Sequence, residues 1–171
     1  MKQKIVLLDI DRTIIDTDRL KEEVKVGQTG KLVFSKKNLK KYMYGDVEQA
    51  VLQLSKIAVI GIFSQGIDEF QRAKLSTIEH LFKKEHVYID LEKIPLLPNV
   101  IEKYKDRIII IVDDSSEVLK TAKKINPSVF TIVIKRNGKD SRRDRVVFTP
   151  DFVVQSMKEV VTMVKKIDEK A

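Results

Sequence analysis

Short, nearly unbroken runs of Ile, Val and Leu recur along the chain at residues 5–8, 57–63, 87–89, 108–112 and 129–134. A strand open to water on one face alternates apolar and polar residues, whereas unbroken runs of this length fit strands covered on both faces. Between them lie segments of helical periodicity with start signals. Asp46-Val47-Glu48-Gln49 has the form of a capping box ahead of Val47, Ala50, Val51 and Leu54, and Ser156-Met157-Lys158-Glu159 repeats it ahead of Val160, Val161, Val164 and Ile167. Phe70, Ile78, Leu81 and Phe82 give the segment after Gly66 an apolar helical face. A last short strand is expected at residues 152–154. Alternating strands and helices predict an α/β fold, a Rossmann-like parallel sheet with helices on both faces.

Residues 14–45 break this rhythm. They carry Gly27, Gly30 and Gly45, many charges and one apolar cluster, Leu32-Val33-Phe34, which reads as a helix over 18–26 followed by a small insertion. At 171 residues, 43% of them hydrophobic, the chain suits a single domain, 1–171, with this insertion at about 14–45.

Composition excludes some chemistry. Without cysteine there is neither a disulfide framework nor a thiolate metal site, and with 2 histidines a polyhistidine centre is not expected. His80 and His86 read as surface or packing residues. No stretch approaches membrane-spanning length, so a soluble, cytoplasmic protein is expected. The net charge of +8 sits among 25 acidic residues, and only local clustering counts as evidence of a polyanion partner. Lys135 to Arg145 is one such cluster, and Lys36, Lys37, Lys40 and Lys41 form a weaker one. Neither has the interleaved aromatics of a base-stacking platform, so a solvated loop is the preferred reading of both.

The candidate chemistry lies where the apolar runs end. The first stops at Asp9-Ile10-Asp11-Arg12-Thr13, two carboxylates one residue apart followed by a hydroxyl. A chain coiling out of a strand can bring both acids to one point, where one serves as nucleophile or metal ligand and the other moves a proton. Equally, aspartates after a strand begin turns and cap helices. Ser64, in Ser64-Gln65-Gly66, offers a hydroxyl for phosphate oxygens or a turn cap. The run 108–112 ends at Asp113-Asp114-Ser115-Ser116-Glu117, where Asp114 and Glu117 have capping-box spacing and Asp113 does not. Lys93, shortly after residues 87–89, is a cation placed to neutralise a phosphoryl group.

The order Asp9, Asp11, Ser64, Lys93, Asp113, each at a strand end, resembles the haloacid dehalogenase (HAD) superfamily. That superfamily has Asp-x-Asp-x-Thr after the first strand, Ser or Thr after the second, Lys before the fourth and an acidic motif after the fourth. Residues 4–13, 46–66 and 87–126 carry the likeness. Arg12 stands where Gly is common, and Ile94 separates Lys93 from Pro95, which leaves Lys74 as a second candidate for the phosphate lysine.

The resemblance implies a Mg²⁺-dependent phosphate monoester hydrolase with a small cap. Asp9 would be the nucleophile that forms an aspartyl-phosphate, and Asp11 the acid/base. Ser64 and Lys93 would hold the transferring phosphoryl oxygens. Asp9, the backbone carbonyl of Asp11 and Asp113 would hold the metal, with Asp114 and Glu117 as alternatives at the third place. The superfamily's dehalogenases act without Mg²⁺ and lack the second Asp, so Asp11 points to phosphate chemistry. The expected substrate is a phosphorylated small molecule or nucleotide. Two other classes compete: a receiver-like phospho-acceptor domain using Asp9, Asp90 and Lys135, and a nonenzymatic nucleic-acid-binding protein resting on the basic loops.

Overall fold

The computed structural model describes residues 2–26, 39–136 and 147–167, with the side chains of 24–26 excluded. Six strands form one sheet: β1 (Lys4–Leu8), β2 (Val59–Gln65), β3 (Val87–Asp90), β4 (Ile108–Asp113), β5 (Phe130–Ile134) and β6 (Phe152–Val154). Every pairing is parallel, in the order β3-β2-β1-β4-β5-β6. β1 lies in the middle, with Leu8 opposite Ile62 of β2 and Val112 of β4. This is the Rossmann order; a receiver domain has the order 2-1-3-4-5, so the receiver-like reading is corrected here. Asp90, which that reading needed, is exposed at the sheet's edge and accepts a hydrogen bond from the Glu92 backbone N–H (3.1 Å).

The helices are α1 (Thr17–Val26), α2 (Val47–Ser55), α3 (Asp68–Lys74), α4 (Leu97–Lys103), α5 (Ser116–Ile125) and α6 (Met157–Lys166). Alternate residues of the central strands enter opposite cores. Val6, Leu8, Ile110 and Val112 pack with α2 and α6, while Ile5, Leu7, Ile109 and Ile111 pack with α4 and α5. The unbroken runs thus report a sheet covered on both faces, as expected. The segment after Gly66 differs from the expected helix: it breaks after α3 into 3-10 turns around Glu79–Leu81 and Lys84–His86.

Only one of the two capping boxes around α2 and α6 forms. Ser156 Oγ accepts from the Glu159 N–H (3.2 Å), and the Glu159 carboxylate accepts from the N–H of Gln155, one residue before the cap. Asp46 makes no cap to α2; its carboxylate accepts from Arg136 (2.9 and 3.0 Å) and from the Met157 N–H (2.7 Å). Arg136 also donates to the Thr13 carbonyl and lies 4.1 Å over the Tyr44 ring. The first arginine of the basic segment is therefore a tie between the β5 end, the loop after β1 and the starts of α2 and α6.

The roots of the insertion are ordered by backbone pairing, Asp16 N–H to Tyr42 O and Tyr44 N–H to Ile14 O. Leu32-Val33-Phe34, with Lys36 and Lys37, falls outside the described residues, as do Arg142, Arg143 and Arg145. Lys40 and Lys41, the two described members of the weaker basic cluster, pair with Glu48 and Glu23.

Asp151 fastens β5 to the segment entering β6. It accepts from the Thr131 N–H and hydroxyl (both 2.8 Å) and from Lys123 (2.9 Å). Burial raises the pKa of its carboxyl, but Lys123 and Thr131 outweigh this and hold it below the usual range. Its stabilising contribution is present above the unfolded pKa of about 3.9 and is lost as pH falls through the lower folded value. Asp151→Asn is expected to cost about 1–2 kcal/mol at pH 7. In urea unfolding, the gap between wild type and variant should narrow below about pH 4; a gap independent of pH would refute this role.

Candidate active site

The carboxyl ends of β2, β1 and β4 lie side by side, and each delivers one polar side chain to the same point. Asp9 extends the β1–β4 ladder through its N–H to Val112 O (3.0 Å), and its side chain is buried. Ser64 is inside β2, so it caps no helix; its hydroxyl donates to Asp9 Oδ1 (3.2 Å). Lys93, from the turn after β3, places Nζ between Asp9 Oδ1 (2.7 Å) and Asp113 Oδ2 (2.6 Å). All three groups are at most 6% exposed. Burial alone would discharge the ammonium, but Asp113 and Asp9 outweigh it and raise its pKa, so Lys93 stays charged.

Asp9, Asp113 and Asp114 each offer one carboxylate oxygen, all within 4.8 Å of one another. Burial pushes the Asp9 carboxyl well up; Lys93 opposes this, and Asp113, Asp114 and Asp11 add to it. Burial, then Asp113, pushes Asp114 up to about 7 against Lys93 and Arg12. One buried ammonium does not neutralise this set. A hard divalent cation with oxygen ligands fits the residues present. Asp113 also accepts from the Ser115 N–H (2.9 Å), so it shapes the start of α5 while facing the site. Glu117 is exposed on the first turn of α5 and is not one of the clustered acids.

Asp11 stands apart from that cluster. Its Oδ1 accepts from Lys74 Nζ and Thr17 Oγ1 (both 2.5 Å), and its Oδ2 from Gln71 Nε2 (2.7 Å). Burial raises its pKa, yet Lys74, Gln71 and Thr17 together leave it lowered. The two candidate lysines are thereby separated: Lys93 serves Asp9 and Asp113, whereas Lys74 serves Asp11.

The loop between the two lead acids and α1 is tightly wound. Ile10 O accepts from the N–H groups of Thr13, Ile14 and Ile15, and Arg12 adopts φ 60°, the left-handed region in which glycine is at ease. The Arg12 guanidinium forks onto Asp18 (2.9 to 3.2 Å) and reaches Asp114 at 3.6 Å. Thr13 Oγ1 is buried without a hydrogen-bond partner.

Sequence reasoning picked out Asp9, Asp11, Ser64, Lys93, Asp113 and Asp114, and the structure gathers them at the β2–β1–β4 end. It missed Thr17 and Gln71, which nothing in their local sequence marks, and it noted Arg136 only as part of the basic segment Lys135 to Arg145, read as a solvated loop. Each acts on a partner that only the fold supplies.

No family model matches the chain, and no curated protein matches it in sequence. Solved structures do match in fold. A haloacid dehalogenase-like hydrolase from Burkholderia xenovorans superposes with TM-score 0.73 at 17% identity, over 95% of this chain and 97% of that one. A HAD-hydrolase of Bacillus subtilis bound to magnesium gives 0.67 at 12% identity, over 96% and 99%. An L-2-haloacid dehalogenase gives 0.64 at 11% identity, over 96% and 100%. Hydrolases and dehalogenases thus share this architecture, and what they have in common with this chain is the sheet and its helices. The chain has the haloacid dehalogenase-like fold, an α/β parallel sheet with an acidic cluster at the end of its central strands.

Proposed function

We propose that the protein is a Mg²⁺-dependent phosphate monoester hydrolase working through an aspartyl-phosphate on Asp9. The observation that carries this reading is the second carboxylate, Asp11, held by its own donors beside the Asp9–Asp113–Asp114 cluster. In the superfamily that the chain resembles, dehalogenases lack an acid at that position. A carbon–halogen bond leaves as halide and needs no proton, whereas an alkoxide leaving group does.

Asp9 attacks phosphorus as a carboxylate, the bond from phosphorus to the ester oxygen breaks, and Asp11, which must be protonated before this step although its donors favour the carboxylate, gives that proton to the departing oxygen. Water then attacks the phosphorus of the aspartyl-phosphate, Asp11 takes a proton from it, and inorganic phosphate leaves with Asp9 regenerated. Ser64 and Lys93 hold the transferring oxygens and offset their charge. Asp9, Asp113 and the backbone carbonyl of Asp11 would hold Mg²⁺, with Asp114 within reach; the bound ion lowers the repulsion between an anionic nucleophile and an anionic ester. The substrate is a phosphorylated small molecule or nucleotide. A cytoplasmic setting suits a chain without cysteine, and among the described residues no helix is long and apolar enough to cross a membrane. With Arg136 turned inward and Lys40 and Lys41 paired, the nucleic-acid reading loses part of its basis.

The test is leaving-group dependence. Asp11→Asn should lower kcat on an alkyl phosphate by about a hundredfold or more and lower it much less on an activated aryl phosphate. Equal losses on both esters would remove Asp11 from proton transfer.

A further inference from the structure

Helix α3 supplies two side chains to Asp11 that none of the strand-end motifs contains. Lys74 is 3% exposed, its Nζ lying 4.5 Å over the Phe70 ring and 2.5 Å from Asp11 Oδ1. A buried ammonium is unfavourable unless paired, and Asp11 is the ion pair it has among the described residues. Gln71 is 2% exposed and uses Nε2 to bond both Asp11 Oδ2 and the Gln65 carbonyl, while its Oε1 is buried without a partner. An amide left half satisfied in the interior is destabilising by itself, so its placement serves the carboxylate it holds.

The backbone is shaped to admit it. Gly66 has φ +147°, and a Cβ there would sit 2.6 Å from Gln71 Nε2. The turn is pinned by the Gly66 N–H to Asp90 O (2.8 Å). Glycine at 66 is thus required both by conformation and by the side chain packed over it.

We infer that Gln71 and Lys74 are positioning residues that fix the Asp11 carboxylate for proton transfer, with Gly66 making room for them, and that Lys74 contacts no substrate phosphate. This rests on the reading of Asp11 as the acid/base. Lys93 pairs with Asp9, the proposed nucleophile, and with Asp113, whereas the anion that Lys74 pairs with is Asp11, so a phosphoryl group on Asp9 meets Lys93 and not Lys74. With both Asp11 oxygens engaged from α3 and α1, the carboxylate has one orientation rather than several, and an oriented acid matters most when the leaving group needs its proton.

The experiment compares Lys74→Met, Lys74→Arg, Gln71→Leu and Gly66→Ala with wild type in Mg²⁺, on p-nitrophenyl phosphate and on glycerol 2-phosphate. For Lys74→Met and Gln71→Leu, the aryl-to-alkyl ratio of kcat should rise by roughly tenfold or more while KM on each ester stays within about threefold. Gly66→Ala should change the ratio in the same direction, and Lys74→Arg should restore much of what Lys74→Met loses. Equal kcat losses on both esters would overturn the inference, as would a raised KM at unchanged kcat, the mark of a phosphate ligand. If wild type hydrolyses neither ester, the phosphatase reading fails, and the clamp is tested by thermal unfolding. Lys74→Met combined with Asp11→Asn should then lower Tm by less than the sum of the single losses, and additive losses would overturn the clamp.

Discussion

Asp9→Asn will reduce turnover of every phosphate ester by about a thousandfold or more, because it removes the atom that attacks phosphorus and leaves the rest of the site standing. The substitution suits the test because the surroundings tolerate it. Lys93 keeps Asp113 at 2.6 Å, and the amide oxygen can still accept from Ser64, so no buried charge loses its last partner. Lys93→Met is the contrasting case. It strands two buried carboxylates, Asp9 and Asp113, and should cost about 3–5 kcal/mol of stability. A fold-preserving Asp9→Asn variant with full turnover would contradict the assignment outright.

Removal of divalent metal should be as severe. Three acids whose oxygens lie within 4.8 Å, balanced by Lys93 and, at 3.6 Å from Asp114, by Arg12, leave excess negative charge where a phosphate dianion must bind. At a separation of about 4 Å and an effective dielectric near 20, each uncompensated pair of charges repels by roughly 4 kcal/mol. Chelation should therefore abolish hydrolysis of an aryl phosphate, with activity returning on addition of Mg²⁺. Calcium, which accepts more ligands in looser geometry, should restore it less well. Full activity in excess chelator would show that the acidic cluster holds no catalytic metal.

The sheet was legible because its strands are buried on both faces and so appear as unbroken Ile and Val runs; β1, β4 and β5 fall within a residue of expectation. The start of β2 was less so. Ile57 and Ala58 continue the apolar run but belong to the turn leaving α2, where both N–H groups bond to Leu54 O. Local cap signals carried mixed information. Ser156 and Glu159 satisfy each other three residues apart, whereas Asp46 has the same sequence form but meets Arg136, 90 residues away. A long-range guanidinium outcompetes a local N–H, and no window around Asp46 reveals that.

The same physics divides the site. Asp9, Asp11 and Asp113 stand out in sequence through their order with Ser64 and Lys93 at successive strand ends, since acids after a strand also begin turns and cap helices. Ser64 is ambiguous in sequence and becomes informative only because β2 extends to Gln65, which turns its hydroxyl toward Asp9. Lys74 and Gln71 are ordinary helix residues in sequence. Gly66, whose φ of +147° favours glycine, leaves room for Gln71, but which side chain packs over it is visible only in the fold.

The account stands or falls on where phosphate is carried. A rapid acid quench of wild type with a ³²P-labelled aryl phosphate, followed by proteolysis and mass spectrometry, locates the covalent intermediate. The label should appear on the peptide containing Asp9, be labile to hydroxylamine as an acyl phosphate, and be absent from Asp9→Asn. Label on Asp90 or on any residue other than Asp9, or turnover with no trapped phosphoenzyme and no burst, would contradict the proposed mechanism.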